Sequence, residues 1–83
     1  IDVEKPHLTI APNPTNSEIV EISLTNYNQD VSNITIFDNN GKIVQKIINP
    51  SPKQEIHLEK SGIYFVQLYV SGQPQQALKL VRL

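Results

Sequence analysis

Apolar residues recur along this chain in short runs with a period of two. In residues 18–24, Val20, Ile22 and Leu24 point one way and Glu21 and Ser23 the other, the alternation of a half-buried strand. Short runs rich in Ile, Val, Thr, Tyr and Phe, separated by turn residues, predict strands over residues 7–10, 31–38, 42–48, 55–58, 63–70 and 77–83. Ile34 and Ile36 are the inward positions of the third, and Ile56 and Leu58 those of the fifth, with His57 outward. The run over 63–70 is the longest. No segment keeps a helical period over ten residues; the stretch 44–48 comes nearest, and Asn49-Pro50 ends it at once.

Turn residues separate the runs. Pro12-Asn13-Pro14 stops the first strand, because two prolines remove two backbone donors and fix φ. Residues 26–30 are a polar turn, and Asn49-Pro50-Ser51-Pro52 is a loop. Asp38-Asn39-Asn40-Gly41 is the strongest hairpin signal, since Asn and Gly supply positive φ. Lys60-Ser61-Gly62 leads into the long strand, and Ser71-Gly72-Gln73-Pro74 leads out of it. About seven short strands with turns roughly every 8–12 residues predict an all-β fold, a single immunoglobulin-like antiparallel sandwich. Residues 1–7 read as the end of a linker and residues 8–83 as the domain. The start at Ile1 fits a segment taken from the C-terminal side of a longer protein.

Two strands are apolar on both faces. In the long strand, Tyr64, Val66, Leu68 and Val70 oppose Ile63, Phe65 and Tyr69; in the last, Leu78 and Leu80 oppose Ala77, Val81 and Leu83. Either these are central strands covered by loops, or one outer face is a docking surface, since monomers seldom expose large apolar patches.

Composition narrows the chemistry. With 83 residues the chain holds one domain, and with no Cys it has neither disulfides nor thiolate metal sites. A net charge of −1 argues against nucleic-acid binding, which needs clustered Lys and Arg. The longest apolar run, Ile63-Tyr64-Phe65-Val66, falls far short of the ~18 residues of a membrane span. The opening residues have neither the basic start nor the apolar core of a signal peptide. His7 and His57 have no partner at ligand spacing, so no metal or other cofactor is expected. Asp38-Asn39-Asn40-Gly41 resembles the opening of a calcium loop but lacks the distal bidentate Glu. Glu18, Glu21, Glu55 and Glu59 fall on solvent-facing or turn positions, and so small a sandwich leaves little room for a cleft of ~300 Å³. An enzyme is not expected.

Three motifs follow one another in a fixed order. Pro12-Asn13-Pro14 comes first. A central hairpin follows over residues 34–44, with Asp38, Gly41 and Lys42 at its turn. Then come Ser61-Gly62-Ile63-Tyr64-Phe65-Val66, Gly72, and Leu78-Lys79-Leu80-Val81-Arg82. In this order the chain closely resembles the C-terminal sorting domain of the type IX secretion system of Bacteroidetes, over about residues 8–83. Ala11 stands where the family often has an aromatic residue, and Lys79 and Arg82 are the only cations of a last strand that is often richer in Lys.

The resemblance implies a signal domain with no chemistry of its own. Its cargo, an N-terminal domain of the parent protein, would cross the inner membrane by a separate signal. The folded domain would then be recognised in the periplasm by outer-membrane translocon components. A sortase-like protease would cut it off at the surface, leaving the cargo on the cell surface or secreted. The residues it assigns to translocon recognition are Gly62, Tyr64, Gly72, Lys79, Val81 and Arg82. The Asn33-Ile34-Thr35 sequon would be idle in such a bacterium. An exposed backbone edge on the last strand, beside an apolar outer face, suits strand-addition recognition. Lys79 and Arg82 have opposite strand parity, so at least one is expected to point to solvent; neither has an evident buried partner, and both are read as better placed to steer a receptor than to support folding. The other reading is a non-catalytic spacer, or a carbohydrate-binding or adhesion module of a surface protein. It is disfavoured by the absence of Trp.

Overall fold

The computed structural model describes residues 5–83, so the first four residues of the expected linker end lie outside it. Seven strands follow in chain order: β1 (His7–Ala11), β2 (Ile19–Thr25), β3 (Val31–Asp38), β4 (Ile43–Ile48), β5 (Lys53–His57), β6 (Gly62–Val70) and β7 (Gln73–Arg82). They form two antiparallel sheets, one ordered β1-β2-β5 and the other β4-β3-β6-β7. This is the immunoglobulin-like sandwich that the spacing of strands and turns predicts.

The inward positions close the core. Val20, Ile22 and Ile56 from one sheet, and Ile34, Ile36, Val66, Leu68 and Leu80 from the other, have no accessible surface. Each such side chain contributes roughly 1.5–3 kcal/mol over an exposed one. Tyr64, 8% exposed, donates its hydroxyl to Lys60 O at 2.8 Å. A tyrosine near the start of this strand, bonded to backbone just upstream, is a fixture of such sandwiches.

Strand limits differ from expectation in places that have local causes. β7 starts at Gln73, not Ala77, and at 10 residues it exceeds the 9 of β6. The turn is only Ser71–Gly72, because Val70 already pairs with Gln73. Pro74 is tolerated because β7 is an edge strand, where a missing N–H breaks no ladder on its open side. A register shift between Leu68 and Tyr69 absorbs the extra residue, Gln75. β5 spans Lys53–His57, so Leu58 leaves the strand yet stays buried, its N–H donating to Glu18 O at 2.7 Å.

The central hairpin uses its residues differently from expectation. Positive φ is confined to Gly41, at +81°, and does not extend to Asn40. The Asp38 side chain organises the rest, its Oδ1 accepting from Asn40 N and Lys42 N at 2.9 Å each. Gly41 N closes the turn on Asp38 O at 3.0 Å. This is a three-residue loop whose glycine takes the left-handed position.

Candidate functional site

The two sheets meet along a seam where β7 runs beside the loop that follows β1. β7 pairs with β6 on one side. On the other side lies a strap over residues 12–17. Asn13 Nδ2 donates to Lys79 O at 2.8 Å, and Asn13 Oδ1 accepts from Val81 N at 3.1 Å. One planar amide thereby makes the two bonds that a neighbouring strand residue would make. Thr15 continues the line: its N–H donates to Val81 O at 2.9 Å and its O accepts from Leu83 N at 2.8 Å. Thr15 is 1% exposed, and its hydroxyl is engaged with both the N–H and the O of Ser17. Nearer the start of β7, the Gln76 amide repeats the device on β1, accepting from Leu8 N at 2.7 Å and donating to Leu8 O at 3.1 Å.

The edge of the last strand is therefore closed over residues 79–83, contrary to the expectation of an open backbone there. Sequence reading took Pro12-Asn13-Pro14 as a strand stop and as the first motif of the resemblance. Its second role depends on a partner 66 residues away, which no local pattern reports.

The six residues assigned to recognition fall into two groups. Lys79 and Val81 lie on the outer face, Lys79 exposed and Val81 half-buried. In register beside Lys79 runs an outer-face row of Phe65, Phe37 and Ile43. The other four are built into the fold. Tyr64 is in the core. Arg82 is engaged: its Nε donates to Leu58 O at 3.1 Å and its Nη1 to Asn16 O at 3.3 Å and to Leu83 O. The expectation that Arg82 is a free cation is thus corrected. Its parity in β7 turns it towards the core side, where orphan carbonyls of the strap and of Leu58 need donors. Gly62 opens the long strand. No atom lies within 4 Å of where a Cβ would stand, and the constraint is instead its φ of +149°. Gly72 sits in the β6–β7 turn.

The outer face of β6 is partly covered. Ile63 and Tyr69 are half-buried, and Phe65 is 39% exposed. The Tyr69 hydroxyl donates to Gln67 Oε1 at 3.2 Å.

One end of the sandwich carries an open groove of about 320 Å³, larger than expected for so small a domain, lined by Asp38, Lys42, Val44, Lys60 and Tyr64 among others. Its one carboxylate, Asp38, is committed to the hairpin turn. Among the described residues no three His, Cys, Asp or Glu side chains gather to hold a metal ion. The His57–Glu55 contact, at 3.8 Å between side chains more than 60% exposed, contributes little.

A family model described as the secretion system C-terminal sorting domain matches residues 9–82. The chain belongs to that family. No curated protein and no solved structure matches it. The sorting domain thus comprises nearly all of the described sandwich, from β1 to the end of β7. Membership makes it a sorting signal of type IX secretion and implies a secreted or cell-surface protein. It also implies interaction with the secretion machinery. Among the described residues no helix is long and apolar enough to cross a membrane.

Proposed function

We propose that this sorting domain carries a cargo joined ahead of it across the outer membrane, transiting the periplasm folded. It is read there by outer-membrane translocon components and removed at the surface by a sortase-like protease. It is the substrate of that cut and performs no catalysis. The observation that carries the reading is the family match over residues 9–82, which takes in a closed sandwich with its own core.

Of the six recognition residues, Lys79 and Val81 are the two that meet the receptor. Both stand on the outer face beside the row led by Phe65. Gly62, Tyr64, Gly72 and Arg82 hold the shape that presents them. An exposed cation beside apolar surface suits steering towards an acidic receptor, an effect that salt screens. Lys79→Glu is expected to leave the thermal melt of the domain unchanged and to lower export of a fused reporter. Normal melting with normal export would move the receptor contact off this face.

A further inference from the structure

The edges of the sandwich are not treated alike. β7 is closed by Asn13 and Thr15, and β1 is bonded by the Gln76 amide. β5 exposes Lys53, Glu55 and His57, charged side chains that discourage strand pairing. β4 is the remaining edge. It pairs with β3 alone, and it is apolar: Ile43 is 53% exposed, Val44 46% and Ile48 60%. These are three of the seven large hydrophobic side chains exposed among the described residues, within one six-residue strand. The row Ile43–Phe37–Phe65 continues that apolar surface inward across the outer face.

A second copy fits this edge poorly. Residues facing each other across an antiparallel pair share a sheet face, so two-fold pairing must centre on a residue. Centred on Lys46, it opposes two ammonium groups. Centred on Gln45, it sets Lys46 against Val44 and gives the ammonium no charge partner; centred on Ile47, it runs past the strand end into Asn49, at φ +51°, and Pro50. Lys46 is exposed between half-buried Gln45 and Ile47, and it accepts an acidic neighbour where it refuses a basic one.

We propose that β4 is a strand-addition site for an extended segment of a partner protein. That segment carries an acidic side chain opposite Lys46 and apolar side chains beside Ile43 and Ile48. The backbone edge supplies the pairing, the isoleucines the apolar contact, and Lys46 the register and the choice of partner.

The test uses the 83-residue chain labelled with ¹⁵N and two capped synthetic peptides. One is Thr-Ile-Thr-Glu-Thr-Ile-Thr, with both Ile on the face of the Glu; the other has Lys in place of Glu. The Glu peptide is expected to bind saturably and to shift and protect the amides of residues 43–48. The Lys peptide is expected to bind about five-fold more weakly, the effect of exchanging a favourable for a like-charge cross-strand pair. Lys46→Glu, at a solvent-exposed position, is expected to invert the preference. Absence of saturable binding, equal binding of the two peptides, amide shifts centred on β7, or a concentration-dependent dimer paired through β4 would each overturn the proposal. Peptide capture in solution and export in cells fail independently, so the two readings are separable.

Discussion

Asn13 does most of its work through a side chain that imitates backbone. Its amide spans Lys79 O and Val81 N, so it stands where a further strand would. Asn13→Ala removes both bonds and leaves a strand edge to water, which takes over part of the loss. At a net contribution of roughly 0.5–1.5 kcal/mol per hydrogen bond, the variant is expected to lose about 1–2 kcal/mol. Chemical denaturation checks this, and an unchanged midpoint would show that Thr15 and Arg82 hold the strap without the Asn13 amide. The sequence marks Pro12-Asn13-Pro14 as special but not for this reason. Prolines speak locally, through φ and a missing donor, whereas the clamp is a tertiary contact. Thr15 was equally silent: a threonine in a polar loop gives no sign of burial, and only its seat between β7 and Ser17 explains it.

At the level of elements, period-two alternation identified β2 and β3, because each has one buried face and the side-chain period is fixed by the pleat, while β6 was read from a continuous apolar run between turn residues. β7 was read too short. Pro74 looks like turn chemistry, and its tolerance depends on which strand ends up at an edge, a property of topology. Strand parity separates the two cations of β7, but only topology shows which of them is engaged. Arg82 bonds carbonyls of Leu58 and Asn16 from two different loops, and so ties β7 to the β5–β6 connection and to the strap. Lys79 faces solvent. Arg82→Ala is therefore expected to destabilise the domain by about 1–2 kcal/mol, the range for partly exposed hydrogen bonds from a charged donor. Lys79→Ala is expected to stay within about 0.5 kcal/mol of wild type. Thermal melts of the two single variants decide it, and equal Tm values would make the Arg82 contacts incidental.

For the whole molecule, the fold was legible and the function was not, except by family resemblance. Composition and alternation dictate a small sandwich, but nothing in strand periodicity distinguishes a signal from a spacer. What the molecule adds is an asymmetry between its edges. The β1–β7 seam is sealed by amides and by a strap, while β4 stays apolar and open. A domain that must be read while folded gains from such an arrangement, since sealed edges resist nonspecific pairing and leave a defined surface for a partner. The central claim is that this sandwich is itself an export signal. It is tested most directly by the fraction of a periplasm-directed fluorescent reporter, fused ahead of residues 1–83, that reaches the cell surface or medium. The comparison is between a type IX-competent bacterium and the same strain lacking the translocon. The account predicts release in the first and periplasmic retention in the second. Equal release from both strains, or retention in both, would contradict it.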